Sequence, residues 1–264
     1  MKLPGIFKFN RPWLQSNFKK DARMHNITFF GETDVGLKRL INEDTFLISL
    51  RRRFCLVADG MGGEAAGELA SHIFAETSME ILSEDVGQST GNIIEQIQNA
   101  FSIANERIFN HAKENPGYNG MGCTAEVLGF SDEDFVIGHV GDSRTYRLRN
   151  QRLEQLTKDH SVVQDQIDKG MITPAESKNH SMRNVILRAV GVREDLSPDI
   201  IKGSKYPGDI FLLCSDGLTD MVAEKQIQEV LSLSTDLSKK TKKLVDMAKL
   251  AGGKDNITVV LSET

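Results

Sequence analysis

The chain has 264 residues, of which 39% are apolar and 26% are charged, and its formal net charge is −5. This composition is typical of a soluble globular protein with a sizeable core, and the acidic balance argues against a nucleic-acid-binding body. No apolar run approaches the ~20 residues that a membrane-spanning helix requires. Lys8 and Arg11 interrupt the N-terminal apolar residues before a secretory signal can form. We therefore expect a cytoplasmic protein.

Residues 1–26 are predicted to be an extension of a body that spans residues 27–264. The extension is basic and rich in aromatic residues, and Pro4 and Pro12 disfavour one continuous helix through it. This composition suits docking to an acidic partner protein or to a membrane surface. It suits equally a strap that covers an apolar patch of the body, and both interpretations stay open.

From residue 27 onward, apolar patterning predicts blocks of strands that alternate with pairs of helices. The predicted strands are 27–31, 45–50, 54–59, 124–130, 135–140, 146–149, 210–215 and 257–261. The predicted helices are 68–82, 92–115, 222–233 and 237–250, and a mainly helical polar insert spans about 159–190. Asn92 with Glu95 resembles a capping box, and Thr173 with Glu176 forms another. Short polar joints favour antiparallel pairing, which suggests two antiparallel sheets with helices outside.

The three cysteines are Cys55, Cys123 and Cys214, and their spacings match neither a disulfide nor a zinc framework. Two of them lie inside apolar runs. We expect all three to be buried thiols of a protein in a reducing compartment.

Acidic residues stand at the ends of several predicted strands that are far apart in the sequence. Asp59 and Asp216 follow apolar strands, Asp255 precedes one, and the pair Glu43 and Asp44 precedes another. Mg²⁺ and Mn²⁺ prefer oxygen ligands in octahedral geometry and keep several waters. The combination therefore indicates a site for hard divalent cations.

Seven segments, in order along the chain, carry a resemblance to a known family. They are residues 34–44, which end in Asn42-Glu43-Asp44, then Asp59-Gly60-Met61-Gly62-Gly63, Gly122-Cys123-Thr124, Gly141-Asp142-Ser143-Arg144, Leu156-Thr157-Lys158-Asp159-His160-Ser161, Ser215-Asp216-Gly217-Leu218 and Asp255-Asn256-Ile257-Thr258. With these segments, residues 27–264 resemble the metal-dependent type-2C protein serine/threonine phosphatases in their bacterial form. The resemblance implies an α+β fold, a four-layer α-β-β-α sandwich of two antiparallel sheets flanked by helices.

The resemblance also implies a site and a reaction. A metal-held water or hydroxide would hydrolyse phosphoserine or phosphothreonine in proteins that a serine/threonine kinase has phosphorylated, and a monomer is expected. Two Mn²⁺ or Mg²⁺ ions form the core, with a weaker third ion, and the 159–190 insert corresponds to a flap beside them. The implied roles are as follows: Asp59 bridges both core ions, the Gly60 carbonyl binds one, Asp216 and Asp255 bind the other, Asp142 binds the third, Glu43, Asp44 and Asp220 bind ions directly or through water, and Arg39 binds the substrate phosphate.

One position departs from the family pattern. Animal members carry a histidine directly after the Asp-Gly pair, where it is proposed to protonate the leaving alkoxide. This chain has Met61 there, which cannot donate a proton. Either a metal-bound water or a histidine from elsewhere, such as His160, must then act, and the water is the favoured choice.

Other interpretations compete for the function and for single residues. A phosphatase-like regulatory binding module is disfavoured because Asp59, Asp216 and Asp255 are all present. Hydrolysis of small phosphoesters stays open, whereas the glycines after Asp59 lack the Gly-Lys-Ser/Thr ending of a nucleotide-binding P-loop. Asp220 could also cap the following helix, and the two roles are compatible. His139 is expected to be structural.

Overall fold

The computed structural model describes residues 27–62, 66–82 and 89–264, so the predictions for residues 1–26 and for Gly63 lie outside the described residues. The strands in the described part are β1 (Thr28–Asp34), β2 (Asp44–Ser49), β3 (Phe54–Met61), β4 (Gly122–Cys123), β5 (Ala125–Phe130), β6 (Asp134–Val140), β7 (Arg144–Arg149), β8 (Arg152–Gln155), β9 (Asp199–Ser204), β10 (Ile210–Cys214) and β11 (Ile257–Glu263). The helices there are α1 (Ala66–Ile81), α2 (Thr90–Glu114), α3 (Val162–Asp168), α4 (Pro174–Ser177), α5 (Asp216–Thr219), α6 (Glu224–Leu231) and α7 (Leu237–Leu250), with a short 3-10 turn at Pro116–Tyr118.

The strands form two antiparallel sheets. One has the order β1-β11-β10-β7-β8, and the other has the order β2-β3-β5-β6-β9 with β4 paired to β3. Strands that are fully apolar, such as Ile210–Cys214, are central and buried on both faces. Strands β8 and β9, whose side chains are all exposed or half-buried, lie at sheet edges, where one side of the ladder needs no partner.

Three apolar layers hold the two sheets and the helices together. One core cluster lies between α1, α2 and the β2-β3-β5-β6-β9 sheet, and a second lies between α5, α6, α7 and the other sheet. The third lies between the sheets, where the Phe211 ring packs at 5.4 Å from Phe130 and 4.9 Å from Phe135. The layer order is α-β-β-α, which confirms the expected four-layer sandwich.

The structure corrects several local predictions. The long helix α2 begins earlier than predicted, and its N-cap is Ser89 rather than Asn92. Strands β8 and β9 were not predicted. The insert is less helical than expected, since α3 and α4 are its helices and turns fill the rest, although the capping box at Thr173 is confirmed.

Two further findings concern the cysteines and the hydropathy of the helices. All three cysteines are buried and free, as predicted. In the part of the chain that the structure describes, no helix combines the length and the hydropathy that crossing a membrane requires.

Replacing Phe211 with alanine tests the packing between the sheets. The side chain is fully buried, so Phe211→Ala should lower the free energy of unfolding by about 3–5 kcal/mol, as is usual for a buried aromatic residue. Urea unfolding of the metal-free protein measures the change. The matched control is Leu250→Ala, whose side chain is 87% exposed and which should change stability by less than about 0.5 kcal/mol. Equal effects of the two variants would contradict the packing argument.

Candidate metal centre

Five of the predicted metal-site carboxylates stand at strand ends that the topology brings to one end of the sandwich. Because β2 and β3 are antiparallel, Asp44 at the start of β2 lies opposite Asp59 near the end of β3. Asp142 follows β6, Asp216 follows β10, and Asp255 precedes β11. Neighbouring strands alternate in direction, so each of these positions falls at the same end of its sheet.

The backbone around Asp59 is fixed from two sides. The Thr124 N–H donates to the Asp59 carbonyl at 2.8 Å, and the Thr124 hydroxyl accepts from the Asp59 N–H at 3.3 Å. The next N–H, of Gly60, donates to the Glu43 carbonyl at 3.2 Å. A Cβ on Gly60 would lie 2.1 Å from the Gly67 carbonyl oxygen, so only glycine permits β3 to approach α1 this closely. The Asp59 carboxylate is thus carried by a rigid element.

Asp216 and Asp255 are brought near each other by a contact between the α5 turn and the loop before β11. A Cβ on Gly217 would lie 1.8 Å from the Asn256 carbonyl oxygen, so the two backbones touch. The Asn256 side chain accepts from the Glu43 N–H at 2.9 Å and donates to two carbonyls of the β1–β2 loop. Sequence reasoning gave Asn256 no role, although an amide directly after a predicted ligand was an available signal.

A buried serine joins the two sheets behind the carboxylates. The Ser215 hydroxyl donates to Asp44 Oδ2 at 2.7 Å and accepts from the Thr258 N–H at 3.0 Å. Asp44 belongs to one sheet and Thr258 to the other, so this hydroxyl fixes one Asp44 oxygen relative to both sheets. This role of Ser215 was not predicted, and the only signal for it in the sequence is that a serine precedes Asp216.

The carboxylates lie close enough to oppose one another's ionisation. Burial raises the pKa of Asp59 and of Asp216 well above the ordinary value, and the charges of neighbouring carboxylates raise both further. Burial also raises the pKa of Asp44 to about 6. The pKa of Asp142 rises to about 6 as well, through burial and then the charge of Asp159. Cations that neutralise the cluster would therefore favour its ionised form.

Two oxygens of the cluster have free capacity to coordinate an ion. Asp44 Oδ1 and Glu43 Oε1 are buried and have no hydrogen-bond partner among the described residues, which is an unusual state for buried polar atoms. In the described ranges, no three Asp, Glu, His or Cys side chains already converge as a complete ligand set. Mg²⁺ and Mn²⁺ keep several waters and accept carboxylate oxygens from separate elements, so the residues present fit such ions.

Arg39 lies at the open side of the acidic cluster. Its guanidinium donates to Asp255 Oδ2 at 2.7 Å, and its other terminal nitrogen lies 3.6 Å from Glu43 Oε2. The side chain is 48% exposed, so the group is not buried beneath the carboxylates and can meet a ligand from solvent.

Asp220 also lies at the exposed edge. It ends the α5 turn, and its Oδ2 lies 3.9 Å from the Arg183 guanidinium of the insert. The alternative interpretation of Asp220 as the cap of the following helix is wrong, because Ala223 occupies the N-cap position of α6.

The insert begins at a histidine that holds the Gly141 backbone. The backbone N–H of His160 donates to the Gly141 carbonyl at 2.7 Å, and His160 Nδ1 accepts from the Gly141 N–H at 3.1 Å. Nε2 lies 2.8 Å from the Arg188 guanidinium, which can only donate, and 3.2 Å from Asp199 Oδ2. Burial lowers the pKa of His160 to about 4, and nearby positive charges add to the effect. His160 is thus neutral near pH 7.

The α-β-β-α sandwich with a buried carboxylate cluster at one end is the arrangement that the resemblance to metal-dependent phosphatases implies, and comparisons with known proteins agree. Residues 38–252 match the family model described as protein phosphatase 2C. The chain is 37% identical over 233 residues to the protein phosphatase PhpP of Streptococcus pneumoniae, covering 87% of this chain and 94% of that protein. It is 37% identical over 235 residues to the serine/threonine phosphatase stp of Listeria monocytogenes, covering 88% and 93%. The chain belongs to the protein phosphatase 2C family.

Solved structures share the fold. The catalytic domain of the serine/threonine phosphatase PstP, crystallised in complex with two manganese ions, superimposes with a TM-score of 0.81 at 33% identity. The match covers 90% of this chain and 97% of that one.

The neutral His160 gives a prediction for the pH dependence of turnover. Hydrolysis of a phosphothreonine peptide at saturating Mn²⁺ should show no acid limb near pH ~6.5, the ordinary histidine value. His160→Ala should cost less than about tenfold, below the ~10²–10⁴-fold value of a general acid.

An aryl phosphate, whose leaving group needs no proton, is the control substrate. A loss of about a hundredfold on the peptide alone would identify His160 as the acid.

The free energy of unfolding should also depend on pH through His160. The pKa of His160 in the folded protein, about 4, lies below the ordinary 6.5, so between these values the unfolded chain binds more protons than the folded one. The contribution of the neutral His160 to the free energy of unfolding is therefore fully present above pH 6.5 and is lost as the pH falls toward 4.

Proposed function

We propose that the carboxylates at the end of the sandwich hold two Mn²⁺ or Mg²⁺ ions. Asp59 would be shared by both ions, the Gly60 carbonyl would hold one, and Asp216 and Asp255 would hold the other. The single observation that supports this most directly is the buried cluster of mutually repelling carboxylates, which includes oxygens that have no hydrogen-bond partner within the described part of the chain. PstP, a relative in structure, is crystallised with two manganese ions.

Other oxygens extend the proposed ligand set. Asp142 would bind a third and weaker ion. Glu43, Asp44 and Asp220 would bind ions directly or through water, and the oxygens of Glu43 and Asp44 that lack a hydrogen-bond partner among the described residues support that role. Asp44 is oriented for it, because Ser215 holds its other oxygen.

The bound ions would supply Lewis-acid charge that lowers the pKa of water and neutralises the phosphoryl group. The chain's own residues supply position. Arg39 offers a planar fork for two phosphate oxygens, which a lysine would not reproduce. Its contacts with Asp255 and Glu43 keep that fork beside the carboxylates, and the neutral His160 leaves the proton of the departing alkoxide to water.

The chain is a metal-dependent protein serine/threonine phosphatase, and its substrates are phosphorylated proteins. This follows from the family model and from relatives such as PhpP and stp. We infer further that the substrates are products of a serine/threonine kinase, and that the enzyme acts in the cytoplasm as a monomer. The assembled acidic cluster argues for catalysis over a purely regulatory binding module.

Two segments receive proposed roles beside the catalytic body. The 159–190 insert acts as a flap next to the site, which the approach of Arg183 to Asp220 supports. Residues 1–26 dock to an acidic surface, which their six basic side chains against the single acid Asp21 support.

The core ligands are tested by Asp59→Asn and Asp216→Asn. Each should remove nearly all turnover of a phosphothreonine peptide, because amides bind hard cations weakly. Each metal-free variant should melt no lower than the metal-free wild type, since one repelling charge is gone. Mn²⁺ should raise the melting temperature of the wild type but not of the variants. That gain should weaken below about pH 6, where Asp44 and Asp142 take up protons.

The matched control is Asp195→Asn, an exposed aspartate outside the cluster, which should behave as wild type. Full turnover in excess chelator would contradict metal dependence. An undiminished Mn²⁺-induced gain in Asp59→Asn or Asp216→Asn would contradict the ligand assignment.

The role of residues 1–26 is tested by deleting them. If they dock to a partner or membrane surface, the truncated protein should hydrolyse a phosphothreonine peptide as well as the full chain does. It should also keep the same melting temperature. A truncated protein that becomes insoluble or melts much lower would instead support the strap over an apolar patch.

A further inference from the structure

Two ionisable side chains without an assigned role lie opposite each other in the middle of one sheet. Glu126 on β5 is paired in register with His139 on β6. Both side chains are fully buried, and His139 Nδ1 contacts Glu126 Oε1. A buried pair of this kind is weak evidence for stability, because apolar residues of similar volume often serve as well. What the pair contacts indicates its role.

The pair links three separate parts of the molecule. Glu126 Oε2 accepts from the Thr145 hydroxyl at 2.5 Å, and Thr145 lies on β7 of the other sheet. His139 Nε2 lies 2.8 Å from the Lys158 carbonyl, directly before the insert. A carbonyl can only accept, so Nε2 carries a hydrogen and donates it. One buried unit thus joins both sheets to the start of the insert.

The same strands lead directly to the metal centre. Two residues before Glu126 is Thr124, which fixes the backbone of Asp59 from both sides. Three residues after His139 is Asp142, the proposed ligand of the third ion. A Cβ on Gly141 would lie 2.5 Å from the Thr124 Cβ, so the two strand ends are packed against each other.

The insert adds the last contact. The His160 ring packs on the His139 ring with centroids 4.5 Å apart and planes at 33°. His160 in turn bonds both the N–H and the carbonyl of Gly141. Displacing His139 would therefore displace His160, and with it the backbone that carries Asp142.

We propose that Glu126 and His139 are positioning residues that hold the Gly141–Asp142 joint and the start of the insert against the core site. They thereby set the affinity of the weak third ion while leaving the two core ions unaffected, because the hydrogen bonds between Thr124 and Asp59 involve neither side chain of the pair. The link to the third ion rests on the proposed role of Asp142, whereas the positioning itself rests on the contacts above.

The test uses His139→Phe, which keeps a ring but removes both hydrogen bonds. Amide hydrogen exchange at Gly141 and His160 should become faster, while exchange in α7 stays unchanged. Mn²⁺ titration of the metal-free protein by calorimetry should show the weak binding step weakened by about 10–100-fold, the usual cost of losing a residue that orients a ligand. The stronger steps should be unchanged.

Three further variants make the result specific. Glu126→Gln can still accept from Thr145 and donate to a neutral His139 ring, so it should stay near wild type in both measurements. His111→Phe repeats the same substitution on α2 and should change neither. If His139→Phe does not fold, Thr145→Val is the alternative test. It removes one hydroxyl at nearly constant volume and should speed exchange at the amides of Gly141 and His160.

Two outcomes would overturn the proposal. One is that the amides of Gly141 and His160 exchange no faster in His139→Phe than in His111→Phe. The other is that the exchange rate in His139→Phe rises uniformly over all amides of β5 and β6. Asp142→Ala separates the third-ion role of Asp142 from the positioning role of Glu126 and His139. If it leaves the weak Mn²⁺ step intact, the third-ion assignment is wrong, and the amide exchange still decides the positioning role.

Discussion

Negative charge concentrated at one buried end of the sandwich is the constraint on which the rest of the site depends. Carboxylates from five strand ends lie close enough to repel one another electrostatically. Burial and this repulsion raise the pKa of Asp59 and of Asp216. Repelling groups stay close only if the backbone that carries them cannot move apart. Much of the local structure serves that purpose, because the close contacts at Gly60 and Gly217 admit no side chain.

Two kinds of contact between the sheets hold the site in place. In the middle of the sandwich the sheets adhere through aromatic and aliphatic packing, which is strong but not directional. At the metal end the contacts between them become directional hydrogen bonds, such as those of Ser215 to Asp44 and of Thr145 to Glu126. Apolar burial thus provides the free energy that keeps the sheets together, while a few hydroxyl groups set their relative position where ligand geometry matters.

Sequence reasoning recovered the parts of the fold that burial determines. Strand β10 is a continuous apolar run and β3 begins with one, so their sequences leave little alternative to central buried strands. The missed strands β8 and β9 are polar edge strands, whose pairing depends on a neighbour rather than on their own pattern. The cap of α2 was misplaced by three residues, because several polar side chains compete at a helix start and one hydrogen bond decides between them.

The candidate site was recovered only in part, for a related reason. Strand ends and acidic residues are visible in the sequence, so Asp59, Asp216 and Asp255 could be grouped from their positions along the chain. Asn256 and Glu126 act through partners that are 213 and 13 residues away. No spacing rule encodes contacts of that kind, which exist only once the sheets are paired.

The pairing of the first and last strands has a geometric consequence for the enzyme in its surroundings. Thr28 lies opposite Glu263 at one end of this strand pair, and Asp34 lies opposite Ile257 at the other, next to the carboxylates. Residue 27 therefore leaves the body roughly 20 Å from the acidic site, the length of a seven-residue strand. A surface bound by residues 1–26 would therefore be tethered to the enzyme through the end of this strand pair that lies away from the carboxylates. Such a tether would raise the local concentration, around the site, of any phosphoprotein held at the same surface.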